Sequence, residues 1–126
     1  MAVEIEIRDD VLCVTLTGTI TKVDMLRIGN TVSSIEGSMA LAPPRISDFS
    51  ASQRMEVGFE EMMALAEHRR RSNLANPVRS AMVVSNPLQR GMARMFQTLN
   101  DHPLVTIQIF DDREKALAWL REPRAE

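Results

Sequence analysis

Carboxylate and hydroxyl side chains are concentrated in one stretch, RISDFSASQRMEVGFEEM, which covers residues 45–62. Asp48 follows a short apolar run, and open α/β folds place their ligands beside the carboxyl ends of such strands. The position suits a carboxylate that faces a partner, and it equally suits a turn residue that bonds its own backbone. Ser50 and Ser52 precede a helical pattern. A phosphate there would be electrostatically favourable, but the type of residue favours helix N-capping.

Methionines form a second group of candidate residues. Nine of them occur in 126 residues, and methionine is flexible and common at adaptable binding surfaces. Helical spacing places several on the apolar faces of the two middle helices, where ordinary core packing is the favoured interpretation. A pocket for a small apolar or lipid-like ligand is the alternative. Its candidate residues are Met55, Met62, Met63, Met92, Met95 and Phe96.

Other site chemistries have little support. His68 and His102 lack the spacing of a metal site, and we expect no metal or other cofactor. Cys13 lies in an apolar run, where a thiol is usually inert. The sequence contains no Gly-x-Ser-x-Gly motif and no glycine-rich phosphate loop. We therefore expect that the protein is not an enzyme.

Three consecutive arginines, Arg69 to Arg71, could hold a phosphate or an acidic headgroup. Successive helical residues point about 100° apart, so the three side chains cannot all face one ligand. Glu67 is placed to pair with Arg71 at a spacing of four residues. These features favour a solvated helix end.

Length and composition favour one soluble domain over residues 1–126. The net charge of −2 gives no reason to propose a nucleic-acid partner. A single cysteine excludes an internal disulfide and fits a cytoplasmic location. The N-terminal residues lack the apolar segment of a signal peptide, and no run approaches the roughly 18 apolar residues of a membrane span.

Hydrophobic periodicity predicts nine elements in the order β-β-α-β-α-β-α-β-α. Strands are expected over residues 3–7, 11–17, 45–49, 78–85 and 104–110, with Gly18 ending the second. Helices are expected over about 22–36, from Met55 to the three arginines, from Pro87 to about 100, and from Asp111 onward. Thr21 with Asp24, Asn86 before Pro87, and Asp111 with Glu114 resemble helix caps. Alternating strands and helices predict a mostly parallel sheet.

The element order, with the segments VLCVTLTGTIT, RISDFS, AMVVSNP and VTIQIFDDREKALAWL, resembles the STAS fold and in particular its SpoIIAA-like branch. The resemblance covers essentially the whole chain. It implies an α/β fold with a mixed, mostly parallel five-stranded sheet and four helices. It also implies a non-enzymatic regulatory module, with a protein partner and a homodimeric state. Relatives of the CRAL-TRIO type bind lipids.

Anti-sigma factor antagonists of this fold bind their partner through the region after the third strand, and a serine at the helix start is phosphorylated. The resemblance aligns Asp48-Phe49-Ser50 with the end of that strand and Val57 with the phosphorylated serine. Valine has no hydroxyl group, so this chain lacks the acceptor at that position. The residues expected to bind a partner are Asp48, Ser50, Ser52, Glu56 and Phe59.

Overall fold

Nine elements follow one another in the order that the sequence predicts. The structure is a computed structural model, and it describes residues 2–71, 73–100 and 102–123. The elements are β1 (Val3–Arg8), β2 (Val11–Thr21), α1 (Lys22–Ser38), β3 (Arg45–Glu56), α2 (Phe59–Arg70), β4 (Val78–Val83), α3 (Pro87–Leu99), β5 (Val105–Phe110) and α4 (Arg113–Arg121).

The five strands form one mixed sheet in the order β1-β2-β3-β4-β5. The first pair is antiparallel and the other three pairs are parallel. Asp9 and Asp10, which connect β1 to β2, both have positive φ, at 52° and 64°. Two such residues are typical of the hairpin turn whose twist matches that of the strands. Each parallel connection contains a helix, as the alternating pattern predicts.

The prediction that Gly18 ends the second strand is wrong. Strand β2 continues to Thr21, and Gly18 lies inside it with φ at +66°. The pairing with β3 shifts register on either side of this region, between Thr15 and Thr17 and between Gly18 and Thr19. Glycine therefore permits an irregularity within the strand, because it tolerates positive φ.

The third strand is also longer than predicted, and this changes the setting of several candidate residues. Strand β3 extends to Glu56 because the prolonged β2 supplies a partner as far as the pair Thr21–Glu56. Met55 therefore lies on a strand and not on the apolar face of a helix. The helix that follows begins at Phe59, after Gly58 at the N-cap.

Side chains alternate between two cores on opposite faces of the sheet. One core lies beneath α1, α2 and α3, and the other lies beneath α4. The first is built around the buried residues Leu12, Val14, Leu16, Phe49, Met62, Met82 and Phe96. The second contains Val11, Cys13, Ile46, Ala81, Val83, Trp119 and Leu120. Cys13 is thus a buried residue of the second core, as expected for an inert thiol.

Helix caps hold the helices at defined points after the strands. The box formed by Thr21 and Asp24 is confirmed at the start of α1, and Asn86 caps α3 before Pro87. The cap of α4 is Asp112, whose carboxylate accepts from the backbone N–H groups of Glu114 and Lys115. The prediction of Asp111 as the cap was therefore wrong by one residue.

Substitution of Gly18 by alanine tests the strain in β2. Its Cβ would meet no atom within 4 Å, so the cost comes from the positive φ alone. We expect Gly18→Ala to lower the free energy of unfolding by about 1–2 kcal/mol in urea denaturation. Gly91, exposed within α3 and equally free of neighbours, is the matched control. Gly91→Ala is expected to raise stability by about 0.5–1 kcal/mol, and a loss at Gly91 as large as at Gly18 would contradict the explanation.

Candidate functional site

Asp48 lies within β3, opposite Val83 at the carboxyl end of β4, and its side chain is already engaged. Its carboxylate accepts from the Ser50 backbone N–H at 2.9 Å and from the Ser50 hydroxyl at 2.6 Å. The Arg113 guanidinium donates to its other oxygen at 2.9 Å. Asp48 thus bonds its own backbone, as a turn residue would, and it joins β3 to α4. The sequence did not indicate Arg113 as its partner.

Ser52 is buried, and the prediction that it caps a helix is wrong. Its hydroxyl donates to the carbonyl oxygen of Phe49 at 2.7 Å and accepts from the Gln89 amide at 3.1 Å. The same amide donates to the Ser52 carbonyl oxygen at 3.0 Å. Ser85 donates to the carbonyl oxygen of Ser50 at 3.1 Å. Ser50 and Ser52 are therefore strand residues, and neither is a helix cap.

The two remaining candidates for partner binding, Glu56 and Phe59, are exposed around the start of α2. Glu56 is exposed at the end of β3, and Phe59 is 56% exposed at the first position of the helix. Glu61 accepts from the Gly58 backbone N–H at 2.7 Å, which fixes the first turn. Val57, the position that the resemblance aligns with the phosphorylated serine, is buried next to this turn.

An apolar cavity of about 50 Å³ lies between the sheet and helices α1, α2 and α3. Of the predicted ligand-pocket residues, Met62, Met92 and Phe96 line it, whereas Met55, Met63 and Met95 do not. Ligand sites for drug-sized molecules usually exceed about 300 Å³. The cavity is therefore too small for the lipid-like ligand considered from the sequence.

Two arginines and one glutamate form a buried cluster at one end of this cavity. The Glu36 carboxylate accepts from Arg45 Nη1 at 3.2 Å and from Arg69 Nη2 at 2.6 Å. The three side chains are only 5–6% exposed. Arg45 also donates to the Ser80 hydroxyl at 3.3 Å, and Arg69 donates to the Ser33 hydroxyl at 2.9 Å. We name these three residues the Arg45–Glu36–Arg69 cluster.

The cluster contains more positive than negative charge, because two arginines share one glutamate. Desolvation and, to a smaller extent, the neighbouring Arg69 lower the pKa of Arg45 to about 10, while Glu36 acts in the opposite direction. A guanidinium with that pKa still carries its charge at neutral pH. The cluster therefore holds two positive charges against one negative charge.

Sequence reasoning missed this cluster because it assigned the arginine run to a solvated helix end. Arg69 is buried, although Arg70 and Arg71 do face outward and pair with Glu67 as predicted for Arg71. One signal was available, since Met62, Ala66 and Arg69 lie on one stripe of the helix at spacings of four and three residues. The identity of Arg69's partner, 33 residues earlier in the chain, left no local signal.

The described parts of the chain contain neither a metal-binding cluster nor a membrane-spanning helix. Within residues 2–71, 73–100 and 102–123, no three histidine, cysteine or acidic side chains are placed to hold a metal ion. None of the helices in those ranges has the length and hydrophobicity needed to cross a bilayer.

The geometry describes a class of α/β protein with a mixed sheet, three helices on one face and one on the other. Solved structures that share this fold include the following two. An uncharacterised protein from Shewanella loihica PV-4 with a SpoIIAA-like fold aligns with a TM-score of 0.62 at 19% identity, over 94% of this chain and 92% of that one. An anti-sigma factor antagonist from Mycobacterium paratuberculosis aligns with a TM-score of 0.60 at 18% identity, over 95% and 93%.

Residues 11–121 match the SpoIIAA-like family, so the chain belongs to that family. This confirms both the resemblance and the fold class inferred from the sequence. No protein with a curated description matches the chain. At these identities the structural likeness establishes the fold alone.

The charge balance of the cluster predicts that neutralising Glu36 and neutralising Arg69 lower the free energy of unfolding by different amounts. Glu36→Gln leaves two buried guanidinium groups facing each other, and we expect it to cost about 3–5 kcal/mol. Arg69→Gln leaves a balanced pair, and we expect a loss of about 1–2 kcal/mol for its hydrogen bonds. Urea denaturation followed by circular dichroism measures both. Equal losses would show that the charge imbalance has no energetic effect.

Proposed function

We propose that this chain is a non-enzymatic regulatory module that binds a protein partner through the end of β3 and the start of α2. The observation that carries the proposal is the exposed Phe59, because a large aromatic side chain at the surface is a typical anchor in protein interfaces. Membership of the SpoIIAA-like family supports a regulatory role, and one protein of similar fold is described as an anti-sigma factor antagonist.

Other exposed apolar side chains at the starts of α1 and α2 extend the apolar surface. Met63 follows one turn later on α2, and Val23 and Leu26 are exposed on the first turns of α1. Both helices begin at the same edge of the sheet, because Thr21 and Glu56, which precede them, are paired. We define the four exposed apolar residues Val23, Leu26, Phe59 and Met63 as the helix-start surface.

Charge around this surface indicates the chemistry of the partner. Glu56 and Glu60 are exposed beside Phe59, and Glu61 lies in the same first turn of α2. A partner that complements the surface offers an apolar pocket for Phe59 with arginine or lysine at its rim. Ser50 is exposed in the first half of β3, whereas buried Ser52 and ion-paired Asp48 serve mainly to hold β3 in place.

A photo-reactive amino acid at position 59 tests the proposal in the source cell. Mass spectrometry of the cross-linked product identifies the partner, and binding is then measured with the purified protein. We expect Phe59→Ala to weaken that binding at least tenfold, as for an interface anchor. Leu41→Ala is the matched control, since Leu41 is 65% exposed after the far end of α1 and should leave the affinity unchanged.

Equal affinities of the two variants for the cross-linked partner would contradict the proposal. The homodimer expected from the sequence remains a prediction, and the same experiment tests it. A cross-link between two copies of the chain would identify a homodimer at this surface, whereas a cross-link to a different protein would assign the surface to regulation.

A further inference from the structure

The cavity beside the Arg45–Glu36–Arg69 cluster combines two features that seldom occur together. One end has two buried guanidinium groups, and the remaining wall is largely apolar. The wall residues include Val14, Leu16, Met25, Val32, Phe49 and Met82. A space with this lining distinguishes its occupants by charge at one end and by hydrophobicity at the other.

Charge at the polar end calls for one additional anion. Among the described residues, the charged groups that act on Arg45 are Arg69 and Glu36. Burying a charge without a counter-charge is costly. A monoanion between the two arginines would bring the cluster to neutrality, whereas a dianion would reverse the imbalance.

Donors suited to an anion remain on Arg45. A guanidinium carries five N–H donors. The bonds of Arg45 to Ser80 and Glu36 run from Nε and Nη1, so neither uses the two N–H groups on Nη2. Arginine recognises carboxylates through paired donors of this kind.

The volume limits the size of the occupant. The cavity measures about 50 Å³, against roughly 30 Å³ for one water molecule in the liquid and about 150 Å³ for an engineered cavity that binds benzene. Only a molecule of a few non-hydrogen atoms fits. Water alone would gain little from the apolar wall, which favours an occupant with an alkyl group.

We propose that this cavity binds a small monocarboxylate of the size of acetate or propionate. Its carboxylate lies between Arg45 and Arg69, and its alkyl group contacts the methionines of the wall. The polar end of the site lies away from the helix-start surface, because Arg45 opens β3 and Arg69 lies in the last turn of α2. The protein is thereby assigned a small-molecule site in addition to its partner surface.

Methionine methyl groups report on the occupancy of this cavity directly. Met25, Met62, Met82 and Met92 line it, whereas the exposed Met39 and Met63 lie elsewhere. The protein is labelled with ¹³C at the methionine methyl groups and titrated with sodium acetate or sodium propionate at constant ionic strength. Acetamide, similar in size to acetate but uncharged, is the matched ligand control, and sodium chloride is the control for a simple anion.

We expect saturable shifts of the four cavity methionines with acetate or propionate, and unchanged signals from Met39 and Met63. Acetamide and chloride should produce no saturable shift. Absence of a response to both carboxylates would overturn the proposal. An equal response to acetamide would show an apolar site without anion recognition, and a response to chloride equal to that to acetate would show a simple anion site. Either of these results would also overturn it.

Amino-acid substitutions test whether the acetate-induced shifts depend on the Arg45–Glu36–Arg69 cluster. Arg69→Gln should abolish the acetate shifts, whereas Arg94→Gln, at an exposed position of α3, should preserve them. If Arg69→Gln does not fold, Ser47→Val provides a second variant, because Ser47 lines the cavity and a β-branched residue suits a strand. Filling the cavity in this way should reduce acetate binding at least tenfold, and full retention of binding would refute the assignment.

Discussion

The hydrogen-bonded ion pairs of Glu36 connect elements that are far apart in the sequence. One carboxylate holds Arg45 at the start of β3 and Arg69 at the end of α2, and it belongs to the last turns of α1. These contacts fix the two helices against the strand at the amino edge of β3. At the opposite edge the same helices begin, and their first turns carry the helix-start surface. Because a buried pair tolerates little displacement before it loses its favourable geometry, the cluster restrains the angle at which α1 and α2 reach that surface.

The two edges of the parallel strands thus have different roles. The carboxyl edge has capped helix starts and exposed apolar side chains, which suit contact with another protein. The amino edge of β3 has the buried cluster and its cavity, which suit a small anion. Helix α2 is common to both, with Phe59 in its first turn and Arg69 in its last. A ligand bound at one end of a helix can shift the other end only if the helix has two alternative positions and the ligand binds them with different affinities.

The sequence predicted the parts of the fold that depend on local patterns. Thr21 and Asn86 were recognised as caps because capping involves residues within one turn. The full length of β3 was not predicted, because its second half carries exposed polar residues that resemble a loop, and only the pairing with β2 keeps it extended. Burial of Arg69 was missed for a similar reason, since it depends on Glu36 and on the packing of α1 against α2. Phe59 was predicted as a partner-binding candidate from the family resemblance, whereas the charge balance of the cluster was not foreseen.

The hydrogen bonds from Ser85 and Gln89 to the carbonyl oxygens of β3 also bear on how an open strand edge is protected. Strand β4 pairs with β3 only as far as Asp48, so the rest of β3 has an open edge on that side. Open edges invite pairing with a strand of another chain, and this is a route to aggregation. The two side chains occupy the carbonyl oxygens of Ser50 and Ser52, and the charged Arg54 and Glu56 follow. These side-chain hydrogen bonds thereby reduce the number of backbone groups on the open edge with which a foreign strand could pair.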